Sequence, residues 1–349
     1  MAYTAVNKAA DFNNTTLYTG DGVAIGSGGQ AITGVGFQPD MVWVKQRSGT
    51  EKHDICDAAR GTTKTVTPDS TAAEVTNTET LTAFGADGFT VGNSGSWNTY
   101  TSTYASWNWK MGTTSGITTD GSTTITPSSY SFNATSGQSV LAYTGNVTAG
   151  AKLAHGLGVK PDMVIIKNYN SASEGWSVYH TSLGNTHYIK LNTIAGSVDN
   201  VNRWNDTDPD AVNITLGDDP SVNGSTTMVA YCFANVKGYS QMGEYTGNAN
   251  TDGAFVYTGF KPAFVLIKGT PGDYNWNIFD NKRPGYNPTD PPLWANVTTA
   301  QTDPYPIDIL SNGFKGATAS SQVGSAINYI YAAFGQSLVG SNGVVGTAF

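Results

Sequence analysis

The sequence predicts an all-β protein built from three tandem β-sandwich repeats. A stretch with a glycine-rich start, a proline, a short apolar run and a final lysine occurs three times, at 34–45 (GVGFQPDMVWVK), 156–167 (GLGVKPDMVIIK) and 259–268 (GFKPAFVLIK). Only 13% of residues are charged and 41 are glycine, which favours short strands joined by tight turns over long amphipathic helices. Sandwiches, with the jelly roll as one form, are the expected architecture.

Each copy is marked by a proline and a lysine. The markers are Pro39, Pro161 and Pro262, followed by Lys45, Lys167 and Lys268. Proline cannot continue a sheet ladder, so it indicates where a strand begins. The apolar run that follows, at 41–44 in the first copy, is too short for a helix and predicts a strand buried on both faces.

A second strand follows each lysine after a polar turn. These strands, at 52–57, 175–180 and 275–280, predict a β-hairpin in every copy. Two of them continue as D-x-x-R, at Asp57 with Arg60 and at Asp280 with Arg283. We expect a small ion pair that braces the loop, in preference to a binding role.

The repeats extend beyond these hairpins. A Tyr-Thr-Gly tripeptide precedes each copy, and an aromatic-rich segment, predicted as a central strand, closes each one. The resulting division is an N-terminal arm (1–11), repeat 1 (12–112), a Thr/Ser-rich linker (113–137), repeat 2 (138–238), repeat 3 (239–335) and a C-terminal tail (336–349). The linker is expected to be an extended connection or an edge ribbon.

Composition argues against several classes of partner. The formal charge is −8, with no cluster of Lys or Arg, so no nucleic acid partner is expected. An apolar span of about 18 residues and the pattern of a signal peptide are both missing, so no membrane insertion is expected and synthesis in a cytoplasm is the default. Cys56 and Cys232 are interpreted as small buried hydrophobes in preference to a disulfide.

Catalytic and cofactor motifs are not found, and no cofactor is expected. Nucleophile elbows, dinucleotide fingerprints and phosphate loops are missing, and glutamates are too scarce to indicate a catalytic pair. Asp206, Asp208 and Asp210 have the oxygen spacing of a calcium loop, but the glycine and glutamate of an EF-hand are replaced. A solvated acidic turn is the favoured interpretation, with an irregular calcium site as the weak alternative.

Three aromatic residues lie in polar segments. Trp97, Trp204 and Tyr286 are surrounded by Asn, Asp, Ser and Gly, and aromatic rings flanked by short polar groups often hold sugars. They are therefore tentative sugar-facing residues. The alternative is that the rings are local hydrophobic plugs at the ends of the sandwiches.

Long stretches of the chain resemble one protein family. AVNKAADFNNTTLYTG, GVGFQPDMVWVK, HGLGVKPDMVIIKN, VAYCFANVKGYSQMGEYTGNANTDGAFVYTGFKPAFVLIK, FDNKR, IDILSNGFK and YIYAAF are similar to uncharacterised structural proteins of tailed phages, common in marine and cyanobacterial phages. The similarity runs in order from residue 1 to about residue 343, and the ending GVVGTAF departs from it. It provides no catalytic residues.

The resemblance implies a non-enzymatic virion protein displayed on the particle exterior as a tail fibre, tail knob or head fibre. Its partners would be other capsid or tail proteins and host-surface carbohydrate, and a homotrimer is the guess from this class of appendage. Alternative hypotheses are a capsid decoration protein that works through protein–protein contacts, and a polysaccharide depolymerase.

Overall fold

The strands that contain the repeated lysines lie inside three large antiparallel sheets. The structure, a computed structural model, describes residues 4–289, 291–302 and 304–337. It is 39% strand and 5% helix, so the all-β prediction is confirmed. No helix in the described part of the chain is long and apolar enough to cross a membrane.

Repeat 1 contains a large sheet and a smaller one. Its elements are β1 (Asn13–Thr19), β2 (Gln30–Ile32), β3 (Met41–Gln46), β4 (Asp54–Asp57), β5 (Lys64–Thr65), β6 (Val75–Thr76), β7 (Leu81–Gly85), β8 (Gly88–Val91), α1 (Gly95–Asn98) and β9 (Thr103–Trp109). The large sheet has the order β1-β9-β3-β4 and the small sheet β2-β8-β7, with β5 and β6 forming a separate pair. The predicted hairpin and the central closing strand are therefore confirmed for this repeat.

Repeat 2 keeps the same order and adds strands at both edges. Its elements are β10 (Ser129–Asn133), β11 (Gln138–Thr144), β12 (Ala151–Ala154), β13 (Met163–Asn168), β14 (Ser177–His180), β15 (His187–Lys190), β16 (Val198–Asp199), α2 (Val201–Trp204), β17 (Asn213–Leu216), α3 (Pro220–Asn223) and β18 (Thr227–Phe233). The large sheet is β10-β11-β18-β13-β14-β15-β16, and β12 pairs with β17.

Repeat 3 follows the same plan. Its elements are β19 (Ser240–Thr246), β20 (Phe255–Tyr257), β21 (Lys261–Gly269), β22 (Trp276–Asp280), β23 (Leu293–Trp294), β24 (Ile307–Leu310), β25 (Gly313–Gly316) and β26 (Asn328–Gln336). The large sheet is β19-β26-β21-β22-β23 and the small sheet β20-β25-β24.

Each strand that contains one of the repeated lysines is buried on both faces, as predicted. Every residue of β3 is buried, and its side chains alternate between two hydrophobic clusters. Val42 and Val44 pack against the small sheet of repeat 1, whereas Met41 and Trp43 belong to a larger cluster. The strands β13 and β21 divide their side chains in the same way.

This larger cluster is shared by all three repeats. At its centre Trp109, Phe233 and Phe334, which hold the same register position in β9, β18 and β26, form a triangle with ring centroids 5.4–6.2 Å apart. The prediction of three separate tandem sandwiches is not confirmed. Because one face of every large sheet faces the other repeats, each repeat alone would expose part of the largest core to water.

The repeats contact one another in a cyclic order, through ring N–H donors at one position of the second hairpin strand. Trp176 of repeat 2 donates to the carbonyl of Thr67 (3.1 Å), and Trp276 of repeat 3 donates to that of Lys190 (2.9 Å). At the same position of repeat 1, His53 Nε2 lies 2.9 Å from the carbonyl oxygen of Trp294. The three repeats therefore close into a ring of approximate threefold character.

The N-terminal arm packs against this ring of repeats. Ala9, in a 3₁₀ turn at Ala9–Asp11, donates its amide N–H to Oε1 of Gln336 at the end of β26 (2.8 Å). The arm therefore lies against repeat 3. Residues 338–349, most of the predicted tail, lie outside the described residues.

The segment 113–137 follows the edge-ribbon alternative and is not a free connection, because it contains β10, which pairs with β11 at the edge of the large sheet, and because Ile125 is buried in a bridge to Leu153. One local prediction needs correction. Pro262 does not precede its strand as Pro39 and Pro161 do. It lies inside β21 beside a β-bulge, a position that tolerates the missing N–H.

Candidate functional site

Trp97 does not face solvent. Its ring is fully buried in α1, and its indole N–H donates to Oδ2 of buried Asp54 (3.0 Å), which also accepts from the hydroxyl of Ser96 (2.6 Å). The sugar-facing interpretation of Trp97 is therefore wrong, and the plug alternative describes its position. Trp97 and Val222 are equivalent, because the hydroxyl of the Tyr-Thr-Gly tyrosine donates to the carbonyl of Trp97 in repeat 1 and of Val222 in repeat 2. The apolar valine in repeat 2 is the sequence signal that this position is buried.

Trp204 is also buried. It ends α2, packs edge-on against Tyr179 with ring centroids 5.8 Å apart, and donates to the carbonyl of His187 (3.1 Å). Its side chain cannot present a ring face to a sugar. A polar residue near it caps the helix: the side chain of Asn200 accepts a hydrogen bond from the backbone N–H of Asn202 at the start of α2.

The three aspartates of the weak calcium candidate do not converge on a metal site. Asp208 accepts a hydrogen bond from the hydroxyl of Tyr179 (3.0 Å) and lies 3.5 Å from the ammonium of Lys160. Asp210 accepts two backbone N–H groups and lies 3.5 Å from Lys152. Among the described residues no group of three acidic, His or Cys side chains is placed to hold a metal ion.

The repeated lysines have a structural role that sequence reasoning did not find. Lys45, Lys167 and Lys268 are fully buried, and each ammonium donates to backbone carbonyls of the loop that follows its strand. Lys167 also reaches the carbonyl of Thr71 in repeat 1, and Lys268 that of Ile194 in repeat 2. Burial lowers the pKa of Lys45 and Lys167 to about 8 and that of Lys268 to about 7.

Tyr286, the third aromatic candidate, is exposed. Its side chain is 76% accessible, and it lines an open cavity of about 370 Å³. Among the described residues this cavity is bordered by ammonium, amide and hydroxyl side chains, namely Lys261, Asn281, Lys282, Asn287 and Thr289. None of the residues described there is acidic, so the paired carboxylates that glycoside hydrolysis needs are not found among them.

The loop that carries Tyr286 is held at both ends. At its start Oδ2 of Asp280 accepts from Nε of Arg283 (2.6 Å), and both side chains are almost completely buried. The equivalent pair Asp57–Arg60 has the same geometry in repeat 1, so the predicted D-x-x-R braces are confirmed.

Asn287 anchors the other end. Its side-chain amide donates to the carbonyl of Ile309 (2.8 Å) and accepts the N–H of Ile309 (2.9 Å), and Thr289 forms an antiparallel bridge with Ile307, so this segment lies beside β24. Tyr286 is therefore presented between two fixed points. A preorganised loop loses little conformational entropy when a ligand binds.

Exposed aromatic side chains are concentrated in repeat 3. In the described part of the chain the aromatic residues classed as exposed are Tyr100, Phe255, Tyr257 and Tyr286. Phe255 and Tyr257 belong to β20, on the opposite edge of the small sheet from Asn287. The strand of repeat 1 in the same place, β2, has the sequence Gln-Ala-Ile.

The comparison with known proteins places the chain in a family. Residues 8–337 match the family described as a domain of unknown function, DUF7483. The chain belongs to this family. No curated protein and no solved structure matches it.

Proposed function

We propose that this member of the DUF7483 family is a non-enzymatic structural protein on the exterior of a tailed-phage particle, where it contributes to host attachment. The sequence resemblance supports the virion assignment. The observation that carries the attachment role is the exposed Tyr286 beside a polar cavity in repeat 3.

A comparison of repeats 1 and 3 shows whether the shared fold requires Tyr286. Repeat 1 forms the same Asp–Arg brace, but Gly61 and Thr62 follow its arginine directly, whereas repeat 3 has Pro284 before Gly285 and Tyr286. Since repeat 1 forms this brace with a shorter loop and no aromatic ring, the brace does not require Tyr286. Tyrosine is also one of the residue types enriched where proteins contact a partner.

A capsid decoration protein is the second candidate. The approximate threefold character of the ring would suit a position on a capsid where three neighbouring subunits meet, because three similar surfaces could contact three similar ones. A homotrimer of this chain, predicted from the class of appendage, stays a prediction.

Immunogold labelling of intact virions with antibody against this chain tests the proposal. Label on the tail or on a fibre is expected for attachment, and label spread over the head would favour decoration. If intact and gently opened particles both stay unlabelled, the virion assignment is wrong. Incubation of the purified chain with host polysaccharide then checks the depolymerase alternative, which predicts cleavage products.

A further inference from the structure

We infer that the Tyr286 cavity binds an acidic sugar residue, one that carries a carboxylate or a sulfate. This inference rests on the proposed attachment function and specifies its ligand. The size of the cavity, about 370 Å³, lies within the range of roughly 300–1,000 Å³ typical of small-molecule sites.

The chemistry of the lining supports both parts of such a ligand. The ring of Tyr286 offers an apolar face on which the C–H groups of a sugar can stack, and the amide of Asn281 can donate to or accept from hydroxyl groups. Two lysines, Lys261 and Lys282, line the same space. Each has three N–H donors, so each can bind an anionic oxygen in addition to its contacts within the fold.

The first repeat shows which of these groups the fold does not require. Its braced loop has the sequence Asp-Ala-Ala-Arg-Gly-Thr, whereas repeat 3 has Asp-Asn-Lys-Arg-Pro-Gly-Tyr. The aspartate and the arginine that form the brace are present in both. Asn281 and Lys282 replace Ala58 and Ala59, and Tyr286 lies in a stretch that Pro284 makes longer in repeat 3. All three residues line the cavity.

The sign of the charge is informative because the protein as a whole is acidic. With a formal charge of −8, the chain repels anionic polymers at long range. The two lysines that line the cavity can donate to an anionic group held at contact distance, in addition to their contacts within the fold. Such binding weakens as ionic strength rises, because salt screens the attraction between the charges.

The inference is tested with a glycan array of matched pairs. Each pair contains an oligosaccharide with uronic acid or sulfated residues and its neutral counterpart of the same linkage. Binding is expected on acidic members, with separate uronate and sulfate arms that identify the anion. We expect Lys282→Gln and Tyr286→Ala each to weaken binding by about tenfold or more.

The controls separate loss of the site from loss of the fold. Tyr100→Ala removes a tyrosine of similar exposure in repeat 1 and should leave binding unchanged, and Lys282→Arg should retain most of it. Thermal melting of every variant should match the wild type, because the substituted side chains project from the core.

The outcomes distinguish this inference from the function on which it rests. Equal binding of acidic and neutral partners, or binding unaffected by Tyr286→Ala and Lys282→Gln, would overturn the inference. If nothing on the array binds and the purified protein still blocks phage adsorption to host cells, the acidic-sugar inference fails and attachment stands. If the protein neither binds nor blocks adsorption, both are wrong.

Discussion

The indole nitrogen of Trp107, in repeat 1, donates a hydrogen bond to the carboxylate of Asp280, in repeat 3, over 3.1 Å. The equivalent aspartate of repeat 1, Asp57, accepts a hydrogen bond from the hydroxyl of Tyr231 in repeat 2 (2.7 Å). His180 holds this position in repeat 2, with Nε2 3.1 Å from the carbonyl oxygen of Tyr331 in repeat 3. One strand position therefore joins each repeat to the next, and the brace inside a loop is also part of the contact between repeats.

The buried ion pair between Asp280 and Arg283 should contribute strongly to the free energy of unfolding. Asp280→Ala leaves the buried guanidinium of Arg283 without its carboxylate, so we expect a loss of about 3–5 kcal/mol in the free energy of unfolding. Urea denaturation measures this. The matched control is Asp252→Ala, which breaks the exposed pair with Lys315 and should change stability by less than about 1 kcal/mol. Equal effects of the two substitutions would contradict the assigned role.

Lys268 should make stability depend on pH. Burial lowers its pKa to about 7 in the folded protein, from 10.5 in the unfolded chain. Between these values the unfolded state binds more protons, so the free energy of unfolding rises with pH through this window. Above about pH 10 buried tyrosines oppose the rise, because burial raises the pKa of groups such as Tyr143.

Lys268→Met should reduce this slope, as measured by urea denaturation between pH 7 and pH 10. Lys45 and Lys167 maintain part of it, because burial lowers their pKa to about 8. An unchanged slope in Lys268→Met would show that the lysine stays protonated in the folded protein.

His180 should contribute to loss of stability in acid. Burial lowers its pKa to about 4, from 6.5 when unfolded, so the unfolded state binds more protons between these values and stability falls as pH decreases from 6.5 to 4. His180→Gln keeps an N–H donor for the carbonyl of Tyr331 and removes the titration. The variant should therefore retain up to about 3 kcal/mol more of its stability at pH 4, relative to pH 7, than the wild type does.

Thermal melting across this pH range provides the comparison, and groups common to both proteins cancel. His187→Gln, at a partly buried position on β15, serves as the control for substituting a histidine. A parallel loss in His180→Gln and wild type would exclude His180 as a cause.

A strained residue follows one of the Tyr-Thr-Gly tripeptides. Two residues after its glycine, the backbone has a positive φ in every repeat: 71° at Gly22, 58° at Val147 and 55° at Ala249. Only glycine adopts this conformation without strain, and a β-branched residue is least suited to it. We expect Val147→Gly to raise the free energy of unfolding by about 0.5–1 kcal/mol, as measured by urea denaturation.

The reverse change, Gly22→Val, should lower stability by a larger amount. A Cβ at residue 22 would also lie 3.1 Å from Cβ of Tyr100. Destabilisation by Val147→Gly would mean that the exposed valine side chain makes a contribution beyond its backbone.

The sequence predicts what is encoded locally. Continuous apolar runs rich in β-branched residues define β3, β13 and β21, and the interval of three residues between Asp57 and Arg60 is enough for an ion pair within one turn. The glycine of the Tyr-Thr-Gly tripeptide has a reason that is not local, because a Cβ on Gly20 would lie 2.3 Å from the carbonyl oxygen of Thr99, which is distant in the sequence.

What the sequence did not predict depends on contacts between distant segments. Trp97 lies among polar residues in the sequence, yet its ring packs in the hydrophobic cluster of repeat 1 and its indole N–H donates to Asp54, and no local pattern reports these partners. Lys167 is buried because carbonyls from two repeats surround its ammonium. Charged and aromatic residues in polar segments are assigned to the surface by composition, and only tertiary packing corrects this.

The aromatic triangle at the centre of the ring has an evolutionary consequence. In a homotrimer of a single repeat, one codon would specify the residue at all three corners of the triangle, so every substitution there would occur three times at once. Here Trp109, Phe233 and Phe334 are encoded separately and already differ. A chain with three separately encoded repeats can change one repeat while the other two stay the same. Repeat 3 can therefore acquire Tyr286 without the same change in repeats 1 and 2.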